Sequence, residues 1–297
     1  MLSVLIPTYN YNVFPLVKEI HKQCEECGIE YEIIVIEDHP ENNFTQNQQI
    51  NSLANCKFSV NSSNLGRASN LNKLVGNSKF DYILILEADA FPKNNNYISS
   101  FIKLLDKNPQ AVFGGVIYAD EKPLNKAVLR WKYGHQRESK NIEYRLKNPS
   151  DIVFSWNLLL KKSVFLLPLF DASILNYGFE DLVFLKNVKK QNIPILQIDN
   201  PLIHQNQEES IIFLQKTKTG LKTLKDLYLQ NLLNTDDSKL LKAYKKLSDW
   251  KLSYLFSKTF EIIESKMTQN LISKNPSLFI FDLFRLGFFC QQMHQKS

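Results

Sequence analysis

The first 120 residues alternate between two hydrophobic periods. Leu2–Pro7 and Tyr31–Glu37 are short apolar runs, the second centred on Ile33-Ile34-Val35-Ile36, of the kind buried on both faces of a parallel sheet. Between them Phe14, Val17, Ile20 and Cys24 fall at three- and four-residue steps, which predicts a helix over Phe14–Cys27. The same reading gives a weaker strand at Lys57–Val60, a helix at Arg67–Val75, a strongly apolar strand at Tyr82–Leu86, a helix at Ile98–Leu105 and a strand at Ala111–Tyr118. This alternation predicts an α/β fold: a doubly wound, mostly parallel sheet with helices on both faces and right-handed crossovers. Ligands of such sheets bind outside the carboxyl ends of the strands. The residues just after each strand are therefore where chemistry is expected.

Past residue 120 the pattern loosens. Residues 120–150 are polar, basic and irregular, with Trp131, Tyr133 and Arg137 interspersed, and read as a long connection. Ile152–Leu160 reads as a strand, Asp181–Lys190 as a helix and Ile195–Ile198 as a strand. From about Ser210 only helical periodicity is left; Leu240, Tyr244, Leu247, Trp250 and Tyr254 read as one stripe of an amphipathic helix. The expected division falls near His204, with an α/β domain over 1–204 and an all-helical C-terminal extension over 205–297.

Charge sharpens that division. Residues 1–204 carry 22 Lys and Arg against 21 Asp and Glu, whereas residues 205–297 carry 14 against 9, so +5 of the net +6 lies in the extension. Such an excess suits an anionic surface, or is a solvated helical face. No nucleic-acid motif accompanies it, so nucleic acid is not an expected partner. The segment Leu278–Phe289 is dense in aromatics but too short to span a bilayer, and Asp282 and Arg285 interrupt it. It either packs on the catalytic domain or on a second subunit, or meets anionic lipid as an interfacial helix. With no apolar stretch of about twenty residues and no secretory leader pattern, the expected location is the cytoplasm, with peripheral contact at the inner membrane face. Cys24 and Cys27 form a C-x-x-C at the end of a helix, without a second pair or spaced histidines, and read as ordinary thiols.

Four polar clusters follow strands or open a helix. Pro7-Thr8-Tyr9-Asn10 closes the first strand without a glycine, which argues against a dinucleotide fingerprint or P-loop. It equally argues against a sugar nucleotidyltransferase, which would need a glycine-rich phosphate loop there. Glu37-Asp38 ends the second strand, where carboxylates accept hydrogen bonds from a base edge or a ribose, or serve as turn acids. Glu87-Ala88-Asp89 follows the apolar run Tyr82–Leu86 and offers hard oxygen ligands to a divalent cation, or is a solvated turn. Gly178-Phe179-Glu180-Asp181 opens a helix, where an acid either acts as general base or caps the helix. His204, after the last strand, is the nearest further metal-type ligand; a lone histidine is usually structural.

In their order these segments resemble one family. Leu2–Asn10 resembles the opening of the family 2 glycosyltransferases, inverting enzymes of the GT-A fold. Glu37-Asp38 looks like that family's paired acids after strand two, and Asn64-Leu65-Gly66-Arg67-Ala68, with Asn72 following, is similar to its N-x-G-R-A segment. Glu87-Ala88-Asp89 falls where the family has its DXD. Phe154–Asn157, Phe170-Asp171 and Gly178–Asp181 resemble the acceptor-side region and its ED helix, and His204 falls at a late metal-binding histidine. The resemblance covers about residues 2–205.

It implies that Tyr9 and Asp38 hold the nucleotide base, with Thr8 and Glu37 nearby, and that Arg67 sits close to the nucleotide. Asp89 and His204 would ligate Mn²⁺ or Mg²⁺. Glu87, with Ala88 beside it at the nucleotide, would face the ribose or the metal. Asp181 would be the base and Glu180 would contact the acceptor, although the two acids are not distinguished from each other. The implied reaction inverts the configuration of a sugar passed from a nucleotide sugar, UDP-sugar foremost, to a hydroxyl of a glycan or lipid-linked glycan, as in cell-surface polysaccharide synthesis. Two departures stand out: Glu87 replaces the first Asp of the DXD, and His39-Pro40 follows where the family has small residues. Glu87 also keeps open a second function class, a catalytically degenerate glycan-binding or scaffold protein. Trp131, Tyr133, Arg137 and Trp156 are candidates for the walls that select sugar and acceptor.

Overall fold

The computed structural model describes the chain except residues 42–43, 150, 152, 166–167, 175–177, 206–207 and 296–297. It divides into two compact units. The first is formed by Met1–Ala119, Glu138–Leu175 and Asn187–Asn206, the second by Asp120–Arg137, Asn176–Lys186 and Gln207–Ser297.

The first unit is built on a seven-stranded sheet. Its strands are β1 (Leu2–Thr8), β2 (Tyr31–Glu37), β3 (Cys56–Val60), β4 (Tyr82–Ile85), β6 (Ala111–Phe113), β8 (Leu158–Lys161) and β9 (Ile195–Gln197), in the order β3-β2-β1-β4-β8-β6-β9. Every residue of β1 is buried, and full burial of an aliphatic side chain contributes roughly 1.5–3 kcal/mol. That is why the apolar runs settle in the middle of the sheet. The register pairs Thr8 with Glu37 and Glu37 with Val60, which brings the carboxyl ends of β1, β2 and β3 level. Helices α1 (Phe14–Cys27), α2 (Arg67–Asn77) and α3 (Tyr97–Ile102) make the connections. Pro15 starts α1, and Gly28, at φ 61°, ends it. Cys24 is buried on this helix, and burial raises its thiol pKa.

Several elements differ from the sequence pattern. The strand expected at Ala111–Tyr118 is two strands, because the chain turns at Gly114-Gly115 with Gly115 at φ 93°. The second piece, β7 (Val116–Tyr118), joins β5 (Ala90–Pro92) and β10 (Leu202–His204) in a separate three-stranded sheet ordered β5-β10-β7. Strands of three residues are too short to show a period. The turn is locked from both sides. A Cβ on Gly114 would lie 2.5 Å from the Asn200 carbonyl oxygen, and one on Gly115 would lie 2.6 Å from Arg145 Nη2. Arg145 is buried and donates to the Phe113, Gly114, Lys140 and Ile198 carbonyls and to Gln197 Oε1. The strand expected at Ile152–Leu160 is confined to β8, since Asn157, at φ 50°, breaks the extended run just before it. Ile152 lies outside the described residues. β8 runs antiparallel to β4 and β6; a buried apolar run reads alike in either direction.

The stretch expected to be an irregular connection holds two short helices, α4 (Val128–Tyr133) and α5 (Ile142–Lys147). In the second unit α4 is joined by the first turns of α6 (Glu180–Lys190) and by α7 (Ser210–Leu229), α8 (Lys239–Asp249), α9 (Ser253–Leu271) and α10 (Leu278–His294). The aromatic C-terminal segment is the core of this unit. Phe281 meets Tyr133 and Phe213, Phe284 meets Phe260, and Phe289 meets Tyr244. Gly287 lets α10 close on Phe260, since a Cβ there would come within 2.5 Å of that ring. The stripe read through Tyr254 is broken. Lys251, at φ 59°, separates α8 from α9, and Trp250 and Tyr254 are exposed where a single helix would have placed them beside buried Leu240 and Tyr244. No helix of the described residues is long and apolar enough to cross a membrane.

Candidate functional site

The level ends of β1 and β2 carry the first group of polar residues. Glu37 is fully buried, and its Oε1 accepts from Asn10 N at 2.8 Å and His39 N at 2.9 Å, so one carboxylate fixes both strand-end loops. Asn10 takes a left-handed conformation, φ 48°, in place of a glycine. Buried Asn47 finishes the first loop by donating to Tyr11 O and accepting from Val13 N. Three buried polar atoms at this point have no hydrogen-bond partner: Thr8 Oγ1, Glu37 Oε2 and His39 Nδ1. An unsatisfied buried group costs about 1–3 kcal/mol. Thr8 and Glu37 share a register position and so leave the same face of the sheet. The exposed Tyr9 ring stands edge-on to His39, centroids 5.0 Å apart.

Asp38 organises the next loop. Its Oδ1 accepts from Asn61 Nδ2 at 2.8 Å and Leu65 N at 2.9 Å. Asn61 also bonds Asn70 and accepts from Lys73 Nζ, and Asn70 donates to Ile36 O. This buried network ties the ends of β2 and β3 to Asn64–Gly66, and Gly66, at φ 79°, turns the chain into α2. Farther along α2, Asn72 exchanges two hydrogen bonds with the backbone of Phe170.

Arg67, the first residue of α2, reaches across to the acids after β4. Its Nη2 lies 3.0 Å from Glu87 Oε2, and its Nη1 donates to buried Ser155 Oγ at 3.1 Å. Glu87 and Ala88 occupy the turn closed by Ala90 N to Glu87 O, and β5 follows at once. Because β5 pairs with β10, Asp89 and His204 become neighbours: His204 Nε2 is 3.8 Å from Asp89 Oδ1, and Gln205 N donates to Asp89 O. The imidazole is stacked on Tyr118, centroids 5.1 Å apart, and meets the edge of Trp156 at 5.7 Å. Tyr118 in turn donates to Glu138. Tyr11 is close enough to Asp89 for that charge, after burial, to raise the phenol pKa.

Asp89 and His204 offer one oxygen and one nitrogen within a span that a single cation bridges with bonds of about 2.0–2.2 Å. Among the described residues no third His, Cys, Asp or Glu completes a cluster. That donor set would suit a Mg²⁺- or Mn²⁺-type ion, with coordination positions left over for a ligand and water, and it does not fit a closed structural zinc site.

Glu180 and Asp181 belong to the second unit. Gly178 and Phe179 precede them at φ 105° and 68°, so two successive left-handed residues swing the chain into α6. For phenylalanine that conformation costs roughly 1–2 kcal/mol, and such strain collects at functional sites. Both acids lie in the first turn, Glu180 buried and Asp181 half-buried. Lys186 anchors the helix to Asp237 Oδ2 and Leu232 O. Of the candidate wall residues, Tyr133 packs on Phe213 and Phe281, Trp131 on His135, and Arg137 pairs with Asp282, all within the second unit. Trp156 is in the first unit, at His204.

The structure thus groups Thr8, Tyr9, Glu37 and Asp38 at the strand ends, pairs Arg67 with Glu87, and sets Asp89 beside His204. Sequence reading gave no site role to His39, Tyr11, Ser155 or Tyr118. His39, next to the paired acids, and Ser155, inside the Phe154–Asn157 segment, had a local signal; Tyr11 and Tyr118 had none.

The sheet order, with acids placed after its strands, defines a protein of the GT-A class. The chain belongs to glycosyl transferase family 2, whose model matches residues 3–165. No curated protein matches the chain significantly. Among solved structures it is similar to a mannosyltransferase, PcManGT from Pyrobaculum calidifontis, in complex with GDP-Man and Mn2+ (14% identity, 98% of this chain and 85% of that one, TM-score 0.55). It is also similar to mannosyl-3-phosphoglycerate synthase from Rubrobacter xylanophilus (13% identity, 79% and 76%, TM-score 0.54). A third similar structure is TarS of S. aureus (14% identity, 73% of this chain, TM-score 0.50), of which this chain spans only 38%. At these identities the likeness is one of fold.

Proposed function

We propose that the protein is an inverting, metal-dependent glycosyltransferase. It moves a sugar from a nucleoside-diphosphate donor, with uridine the expected base, to a hydroxyl of a glycan or lipid-linked glycan, as cell-surface polysaccharide synthesis at the cytoplasmic face of a membrane requires. The observation that carries this reading is the trio Thr8 Oγ1, Glu37 Oε2 and His39 Nδ1, buried without partners beside the exposed Tyr9 ring. Glu37 Oε2 needs a donor, while the hydroxyl and the imidazole can each give or take a proton according to orientation and tautomer. A base edge or a ribose supplies such groups, and Tyr9 supplies a ring to stack on. Asp38 keeps the loop before Arg67 in place, and Arg67, held by Glu87 and Ser155, presents a fixed cation to the diphosphate. Mn²⁺ or Mg²⁺ held by Asp89 and His204 would neutralise charge growing on the leaving diphosphate.

In the transfer, Asp181 accepts the proton of the acceptor hydroxyl while Glu180 orients the acceptor. The hydroxyl oxygen bonds to the anomeric carbon as the bond from that carbon to the diphosphate oxygen breaks, so configuration inverts. A second reading, a glycan-binding or scaffold protein without transfer, is favoured by one observation: Glu87, at the first acid of the metal motif, is engaged by Arg67. Release of nucleoside diphosphate from a panel of nucleotide sugars with Mn²⁺ separates the two. Turnover of one donor supports the enzyme; no release with any of them supports the scaffold.

A further inference from the structure

The corner between α8 and α9 carries a surface that glycosyl transfer leaves unexplained. Ile262 is 81% exposed, Trp250 69%, Leu255 62% and Tyr254 58%. Burying them is the normal tendency of such side chains, yet α9 turns its other face, with Ser257, Phe260, Met267 and Leu271, into the helical core. Tyr254, Leu255, Lys258, Ile262 and Lys266 follow one another at helical steps and form one stripe, and Trp250 and Leu252 extend it across the corner.

The stripe is set among cations. From Lys239 to Lys266 the chain has seven lysines and three acids. Lys251 and Lys266 are exposed near its two ends, and the Lys258 ammonium lies 5.9 Å from the centre of the Tyr254 ring. Lys258 pairs with Glu261 and Lys245 with Asp249, so Lys251 and Lys266 are the cations that flank the stripe. Trp and Tyr beside aliphatic residues, flanked by lysine, match the boundary between lipid headgroups and acyl chains. A second copy of this chain would set one lysine-bearing patch against another across a two-fold interface, so the charge disfavours self-association. The aromatic helix α10, by contrast, has Phe281, Phe284, Phe288 and Phe289 buried in the core.

We propose that the α8–α9 corner docks on an anionic lipid bilayer, with Trp250, Leu255 and Ile262 entering the interface and Lys251 and Lys266 meeting the headgroups. Its purpose rests on the lipid-linked acceptor of the proposed function, but the binding itself needs neither donor nor acceptor and is tested without them.

The test is co-sedimentation of the full chain with phosphatidylcholine vesicles, with and without phosphatidylglycerol. The chain should pellet only with the anionic vesicles and be released as salt rises from about 0.1 M to about 0.5 M. Leu255→Glu with Ile262→Glu should lower partitioning at least about tenfold. Lys251→Gln and Lys266→Gln should each lower it about fivefold. All four positions are exposed, so unchanged melting temperatures will show that the variants are folded. Wild-type chain left in the supernatant with anionic vesicles would overturn the proposal. So would glutamate variants that bind as the wild type does, or a dimer that Ile262→Glu dissolves while no vesicle binding is seen.

Discussion

Arg67 Nη2 and Glu87 Oε2 lie 3.0 Å apart, an ion pair that joins the first residue of α2 to the turn after β4. Both side chains are mostly buried, and Arg67 spreads its fork onto Ser155 as well. The extra methylene of Glu87, compared with the aspartate this family has there, thus meets a guanidinium. A lysine cannot hold two partners in this fashion.

Arg67→Lys is therefore expected to cost about 1–3 kcal/mol, a fall in melting temperature of a few degrees at about 2–4 °C per kcal/mol. Diphosphate affinity should fall about tenfold, equivalent to ~1.4 kcal/mol. A double-mutant cycle with Glu87→Gln should give a coupling of at least about 0.5 kcal/mol; additive losses would show that the pair is not an energetic unit.

Asp181→Asn keeps shape and removes the proposed base. Transfer should drop by about 10²–10⁴-fold, while nucleotide binding measured by calorimetry should change little. Glu180→Gln, if Glu180 orients the acceptor, should raise the acceptor KM more than it lowers kcat. The reverse pattern in the two variants would exchange their roles.

His204→Ala removes the nitrogen donor beside Asp89. The Mn²⁺ concentration that half-saturates the nucleotide complex should rise at least about tenfold, and metal-free nucleotide binding should stay as it was. An unchanged Mn²⁺ dependence would place the metal elsewhere.

Two buried thiols give the fold a pH signature. Burial pushes Cys290 up to about 12 and raises Cys24 as well, from an ordinary value of 9.0. Below that ordinary value both states keep the proton and these thiols add no pH dependence. As pH climbs through the window up to about 12, the unfolded chain releases protons that the folded chain retains. Stability should then fall by up to about 1.4 kcal/mol per pH unit for each thiol. Melting temperatures of wild type and Cys290→Ala across this range provide the check: the variant should start lower and lose stability more gently with pH.

The sheet's first half was legible because β1, β2 and β4 are aliphatic runs whose only stable place is a buried sheet, and because acids directly after such runs fall at strand ends. The break at Gly114-Gly115 was hidden: two glycines inside an apolar run are read as strand unless Arg145 and Asn200, distant in sequence, are known to crowd them. His204 meets Asp89 only through the three-residue pairing of β5 with β10. The His39 imidazole acquires meaning from a partnerless nitrogen, which is a tertiary fact. Trp250 and Tyr254 fit a core stripe in sequence, and only Lys251 in a left-handed turn puts them outside. The second unit gathers 120–137 and 176–186 with the C-terminal helices, a grouping no composition shift marks.

The most direct test of the nucleotide-sugar reading is thermal stabilisation by UDP, GDP and their sugars, each with and without Mn²⁺. One nucleotide should raise the melting temperature in a Mn²⁺-dependent way, by the equivalent of about 2.7 kcal/mol at a hundred times its Kd, and Glu37→Gln should remove most of that rise. No shift with any nucleotide at about millimolar concentration, where a Kd below ~10 μM gives the full effect, would contradict the account.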